Sequence, residues 1–163
     1  MIADAKVREL TRKLQLCLRA ALAAGLALWF AELLRLEYPI YAMIAAVIVT
    51  DLSPDQSRRL GLQRLAGTIV GAGCGASLAA FAPAGPWTIG LGILVAMLLC
   101  QLLRVEAGAK LAGYVCGIVL MSFNVEPWSY ALQRLIETVL GGGVAVAVSF
   151  VPKLIPTDRS GDA

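Results

Sequence analysis

The sequence predicts an all-α polytopic membrane protein with six transmembrane helices, arranged as two inverted-topology three-helix repeats. Two observations lead to this prediction. The first is composition: 59% of the 163 residues are hydrophobic and only 15% are charged, whereas about a quarter of the residues of soluble proteins are charged. The second is an internal repeat, which is the sequence signature of a duplicated membrane unit.

The repeat has a period of 70 residues. Leu62-Gln63-Arg64-Leu65, followed by Thr68 and Gly71, recurs as Leu132-Gln133-Arg134-Leu135, followed by Thr138 and Gly141. Upstream, Ile48-Val49 matches Ile118-Val119 at the same offset. If each copy crosses the membrane three times, the second copy enters from the opposite side. Many transporters are built in this way.

Six apolar stretches provide the spans, although several are shorter than the ~20 residues of an upright transmembrane helix. They cover residues 14–34, 38–52, 60–82, 87–103, 107–124 and 133–152. The longest uncharged region is broken only around Pro83 and Pro86, which end a helix. The first repeat therefore spans about 14–82 and the second about 87–152. Residues 1–13 form a cytoplasmic N-terminal segment and residues 153–163 a cytoplasmic tail.

The distribution of positive charge predicts the orientation. Most of the 14 Lys and Arg residues fall on one side of the predicted membrane, and only Arg35 and Arg134 lie near the other. The positive-inside rule then places both termini in the cytoplasm. The localisation that we expect is a bacterial inner membrane. We expect the lipid bilayer to be the main partner and the chain to form a homodimer.

Several functions are excluded by composition. The chain has no histidine for acid–base work, its serines and cysteines have no evident base partner, and it has no phosphate-binding loop. We therefore expect no enzymatic activity. The four cysteines lie in apolar stretches without metal-ligand spacing, so no metal and no cofactor are predicted. The net charge of +3 gives no reason to expect nucleic-acid binding.

Glycine spacing predicts how the third span packs. Gly67, Gly71 and Gly75 recur every four residues and therefore share one helix face. Small residues at this spacing allow two helix backbones to approach closely within a membrane.

Charged residues within spans are the candidate site residues, because each costs about 2.5–3.5 kcal/mol on insertion scales. Arg64 and Arg134 are the strongest candidates, since a guanidinium offers a planar set of donors suited to carboxylates. Two alternatives are structural: Arg64 extends to the cytoplasmic surface, or Arg134 pairs with Glu137, three residues further on.

Four other residues complete the prediction. Arg19 lies inside the first span and either reaches the surface or points into the bundle. Thr68 and Tyr41 are polar groups that face a pathway, although a Thr in a helix also bonds to its own preceding turn. Asp51 ends the second span, has Met121 as its repeat counterpart, and is a candidate proton-coupling site or a helix cap.

The sequence also resembles a known family. Tyr38-Pro39-Ile40-Tyr41-Ala42 and the stretch Arg64-Leu65-Ala66-Gly67-Thr68-Ile69-Val70-Gly71 resemble the fusaric acid resistance (FUSC) family, which includes aromatic acid exporters and is similar to the plant aluminium-activated malate transporters. The resemblance implies a six-helix membrane unit that handles organic anions, with Arg64, Gly67, Thr68 and Gly71 in its motif.

The leading functional hypothesis is export of small organic anions such as aromatic carboxylates, with Arg64 and Arg134 attracting the carboxylate. The alternatives are a passive anion channel and a membrane scaffold subunit that transports nothing.

Overall fold

The structure, a computed structural model, describes residues 2–122 and 126–151. These residues form six α-helices and one 3₁₀ turn, Glu106–Gly108, and contain no strand. The helices are α1 (Ile2–Leu33), α2 (Ile40–Val49), α3 (Pro54–Phe81), α4 (Pro86–Leu102), α5 (Ala109–Met121) and α6 (Pro127–Ser149). Each predicted span corresponds to one helix, so the prediction of an all-helical protein with six helices is confirmed.

Three helices are long and apolar enough to cross a membrane by themselves. They contain the segments Glu9–Leu33, Pro54–Phe81 and Pro127–Ser149. Helices α2 and α4 are apolar but shorter, so they cross less than a full bilayer if they stand upright. The chain is thus a multi-pass membrane protein in which long and short helices are mixed.

Three helices begin well before their predicted spans, and one of them is α6, which starts at Pro127 and not at 133. Helix α1 begins at Ile2, so the polar segment 1–13 is largely the first part of this helix. Helix α3 begins at Pro54, ahead of its apolar stretch, because Ser53 caps it by accepting a hydrogen bond from the Gln56 amide at 3.2 Å. Proline is favoured at this first helical position. The predicted tail, 153–163, lies outside the described residues.

Helices α1 and α4 end in the same way. Arg35 and Arg104 each adopt a positive φ, 53° and 58° respectively. The amide after each Arg bonds to the carbonyl five residues back, Leu36 to Ala31 and Val105 to Cys100. This is the Schellman pattern, in which a left-handed residue closes a helix.

The packing partners of the helices repeat between the two halves. Helix α3 packs against α5, and its repeat counterpart α6 packs against α2. Helix α1 packs on α2 and α6, just as α4 packs on α5 and α3. Two core clusters result. The first consists of residues from α1, α2 and α6. The second consists of residues from α4 and α5, and side chains of α3 pack against it. The large contact between α3 and α6 joins the two sets.

Close approach between α3 and α5 depends on glycine. A Cβ at Gly67 would lie 2.6 Å from the Gly108 carbonyl oxygen, and one at Gly75 would lie 2.9 Å from that of Cys116. Gly71, between them, faces the backbone of Ala112. No side chain fits between the two backbones at these positions.

The corresponding contact in the second half uses repeat-related residues. Gly141 faces the backbone of Ala42, and these two residues are the counterparts of Gly71 and Ala112. The same tight joint therefore occurs twice, once between α3 and α5 and once between α6 and α2.

Helices α3 and α6 cross in opposite directions. Gly61, near the start of α3, lines a groove together with Val146, near the end of α6. Further along, Ala72 of α3 shares a core cluster with Ala131, near the start of α6. The crossing point therefore lies between these pairs, close to the middle of each helix.

We expect Gly141→Ala to destabilise the fold by about 1–3 kcal/mol, because the added methyl group collides with the Ala42 backbone. Gly143→Ala is the matched control on the same helix, since a Cβ there meets nothing within 4 Å. Thermal unfolding in detergent should show a lower Tm for Gly141→Ala alone. Equal Tm values for the two variants would contradict this packing.

Candidate functional site

Two repeat-related threonines meet where α3 crosses α6. The Oγ1 atoms of Thr68 and Thr138 are 3.4 Å apart. Each hydroxyl also donates to the carbonyl one turn earlier in its own helix, Thr68 to Arg64 at 2.9 Å and Thr138 to Arg134 at 2.8 Å. Back-bonding of this kind satisfies a hydroxyl inside an apolar bundle. The crossing thus brings together the two copies of the repeated motif.

A small enclosed cavity lies beside this crossing. Its polar lining consists of Tyr41, Arg64, Thr68, Tyr114, Arg134 and Thr138. Its volume is about 10 Å³, close to the least that holds one water molecule. Four of the predicted pathway residues, Arg64, Arg134, Thr68 and Tyr41, are therefore brought together, in a closed conformation with no room for an organic anion.

Arg64 is buried without a counterion. Its residue exposure is 4%, and Nε and Nη1 have no hydrogen-bond partner. No ion pair among the described residues includes it. The interpretation that Arg64 extends to the cytoplasmic surface is therefore wrong for this conformation. A desolvated, unpaired guanidinium is costly for the protein and attractive to an anion.

Arg134, the repeat counterpart, is surrounded by compensating groups. Its guanidinium carbon lies 3.1 Å from the ring centre of Tyr41, 5.1 Å from that of Tyr38 and 4.9 Å from that of Tyr130. Its Nη2 lies 2.5 Å from Oε2 of Glu137. Ring faces and a carboxylate both stabilise a buried cation. The predicted pairing with Glu137 is present, and the two arginines have opposite electrostatic surroundings.

Tyr38 and Tyr130 pack against each other beside Arg134. Tyr130 is only 4% exposed and packs edge-to-face with Tyr38. Tyr130 lies one helical turn before Arg134, and this spacing was the signal for their contact. Trp87 and Trp128, by contrast, are exposed at the starts of α4 and α6.

Glu137 is the residue that sequence reasoning underused. It is completely buried. Its ion-pair partner among the described residues is Arg134, and neither of its carboxylate oxygens forms a hydrogen bond. Its repeat counterpart is Gly67, which packs directly on Gly108. An acid in one repeat, at the position of a packing glycine in the other, is the sequence signal that singles out Glu137.

Arg19 lies apart from the cavity. Its guanidinium donates to the carbonyl oxygens of Leu52 at 2.8 Å and Val151 at 2.7 Å. Leu52 follows α2 and Val151 follows α6, so Arg19 ties the ends of two helices to α1. Positive charge is favourable at such carboxyl ends.

Asp51 also lies outside the cavity lining. Its Oδ1 accepts hydrogen bonds from the amides of Leu52 at 2.7 Å and Ser53 at 3.3 Å. Its own amide donates a hydrogen bond to Oγ of Ser57 at 2.9 Å. These bonds shape the turn between α2 and α3, and no described ion pair joins Asp51 to Arg64 or Arg19.

Comparison with known proteins identifies the family. Residues 26–148, which include every residue of the cavity lining, match the family described as fusaric acid resistance protein-like. The chain belongs to this family. Proteins of the FUSC family are membrane transporters. Among the described residues, no group of His, Cys, Asp and Glu has the arrangement of a metal site.

One similar protein is an uncharacterized protein of Corynebacterium glutamicum, which is 24% identical over 147 residues. The aligned region covers 90% of this chain but only 38% of that protein. The chain therefore spans well under half the length of this relative. No solved structure matches the chain described here.

We expect Arg19→Gln to lower stability without changing transport affinity, because Arg19 bonds to two helix ends and not to the cavity. Loss of hydrogen bonds from a charged donor costs about 1.5–3 kcal/mol each. Thermal unfolding and transport KM, measured on the same preparation, test this. Arg12→Gln, an exposed position on the same helix, is the control. A raised KM with an unchanged Tm would place Arg19 in the pathway instead.

Proposed function

We propose that this chain transports small organic anions, such as aromatic carboxylates, across the bacterial inner membrane, in the direction of export. The observation that carries this proposal is Arg64, a buried guanidinium whose Nε and Nη1 have no partner. Such a group is expensive to maintain in a membrane protein. It is explained if an anion occupies the site during part of the working cycle.

The surroundings of Arg64 fit a carboxylate attached to an aromatic ring. Thr68 and Thr138 add hydroxyl groups at the same cavity, and Tyr41 and Tyr114 add aromatic rings. Rings favour offset or edge-on contact with another ring. A carboxylate on Arg64 with its ring between the tyrosines satisfies both kinds of neighbour.

Two inverted repeats give this pathway its two ends. Equivalent helices of the two halves have equivalent packing partners, and α3 and α6 cross in opposite directions. Both observations support this topology. Each Arg lies four residues from its Thr, which is about 6 Å along a helix. Arg64 then lies on the cytoplasmic side of the crossing and Arg134 on the far side, with both termini in the cytoplasm.

The closed cavity favours a carrier over a passive channel. A cavity of about 10 Å³ passes no organic anion, so each transport event needs the helices to move. An open channel would keep a continuous polar route. A scaffold subunit gives no reason for an unpaired buried arginine.

Other surfaces of the chain are suited to lipid and to a second copy. Large apolar side chains on α1 and α4, such as Leu14, Trp29, Leu94 and Leu98, are exposed. In a membrane these faces contact lipid tails or another protomer. We propose a homodimer, in which part of this apolar surface is shared between protomers.

The test is uptake of radiolabelled benzoate into proteoliposomes by Arg64→Gln. We expect KM to rise roughly 10- to 100-fold, because a hydrogen-bonded charge pair contributes about 1.5–3 kcal/mol. Arg59→Gln removes the same charge from the same helix at an exposed position and should leave KM unchanged. Saturable uptake with an unaltered KM in Arg64→Gln would remove Arg64 from the site.

A further inference from the structure

Glu137 differs from every other described carboxylate in its degree of burial. It is 0% exposed, and no other Asp or Glu among the described residues is buried. Its charge is compensated by Arg134, and both of its oxygens lack a hydrogen bond. A buried carboxylate becomes unstable as an anion when its counterion is engaged elsewhere.

Packing alone does not explain an acid at this position. The counterpart Gly67 lets α3 approach α5 until a Cβ would lie 2.6 Å from the Gly108 carbonyl oxygen. The same joint in the second half contains Glu137 in place of a small residue, with Tyr38 and Tyr41 around Arg134. Helix packing is satisfied by glycine in one repeat, so the acid in the other repeat has a different role.

The charges at Arg134 define that role. With no substrate, Arg134 and Glu137 together carry no net charge. A substrate carboxylate that binds the Arg134 guanidinium competes directly with the Glu137 carboxylate. Once the anion has passed from Arg64 to Arg134, on the far side of the crossing, two carboxylates face the single Arg134 guanidinium in a buried place, which is strongly unfavourable.

On the basis of the proposed function, we propose that Glu137 is the proton-coupling residue of this transporter. When the anion replaces it on Arg134, the Glu137 carboxylate accepts a proton from the aqueous side to which the cavity is open. When the anion leaves on the other side, Glu137 releases that proton there and pairs with Arg134 again. One proton and one anion move together and no net charge crosses the membrane, so export proceeds when the outward gradient of the anion exceeds the inward gradient of protons.

The other groups around Glu137 are consistent with this cycle. Tyr130 belongs to its own helix, Tyr41 comes from α2, Arg64 comes from α3 at the same cavity, and Tyr38 and Glu37 precede α2. Glu37, in the turn before α2, adds a second carboxylate to this side. The tyrosines supply aromatic faces to Arg134 and no further positive charge.

Asp51, the acid singled out from the sequence, has a different environment. Its Oδ1 is engaged by the amides of Leu52 and Ser53, and the cavity lining does not include it. Two backbone amides therefore hold the Asp51 carboxylate in the turn that precedes α3. Asp51 is therefore the matched control for Glu137.

The experiment separates exchange from net transport in proteoliposomes. Exchange of labelled for unlabelled benzoate is measured without gradients, and net uptake is measured with an inward proton gradient at clamped voltage. Wild type should do both, with net uptake that follows the pH gradient and not the voltage. Glu137→Gln should retain exchange. Its net uptake should fall roughly 100-fold, because the variant without a bound anion has no carboxylate to compensate the charge of Arg134.

Asp51→Asn should behave as wild type in both assays, since an amide oxygen accepts the same bonds. Gradient-driven uptake by Glu137→Gln at the wild-type rate, or wild-type net uptake that follows voltage alone, would overturn the proposal. Loss of coupling in Asp51→Asn but not in Glu137→Gln would also overturn it. Absence of exchange in wild type would instead reject the proposed transport function.

A second variant decides the case in which Glu137→Gln does not fold. Glu137→Asp keeps the acid but shortens it by one methylene, which alters its contact with Arg134. We expect this variant to retain coupling with a shifted pH dependence of net uptake. A pH dependence identical to that of wild type would overturn the assignment.

Discussion

Two guanidinium groups buried inside an apolar helix bundle are the constraint on which the rest of this structure depends. Each costs free energy unless something compensates its charge. Arg134 is compensated within the protein by Glu137 and three tyrosine rings. Arg64 lacks any ion-pair partner among the described residues. Under the proposed function, this difference between two repeat-related positions makes Arg64 the group that binds the anion.

The helix packing determines where these charges lie. The glycine joints, Gly71 against Ala112 and Gly141 against Ala42, draw α5 onto α3 and α2 onto α6. With these two contacts in place, α3 and α6 cross each other at Thr68 and Thr138. The buried arginines therefore lie one turn on either side of the crossing. Bulkier residues at the joints would separate the helices and open the cavity to lipid.

The sequence predicts the helices and most of the site, because apolar stretches, glycine spacing and the repeat are local or periodic signals. Arg64, Arg134, Thr68 and Tyr41 were predicted together because they lie in or near the repeated motif, and they do meet at one cavity. The role of Arg19 depends on the positions of Leu52 and Val151, which are distant in sequence. The Tyr38–Tyr130 contact likewise arises from tertiary packing, which composition and spacing do not specify.

The most direct test of the account is whether the pathway passes through the α3–α6 crossing. In a background without the native cysteines, Thr138→Cys is treated with an anionic, membrane-impermeant thiol reagent, with and without benzoate. The account predicts labelling that benzoate suppresses. Val139→Cys, the adjacent residue with a 56% exposed side chain on the apolar surface, should not react. Thr138→Cys that stays unlabelled while the protein transports benzoate would contradict the account.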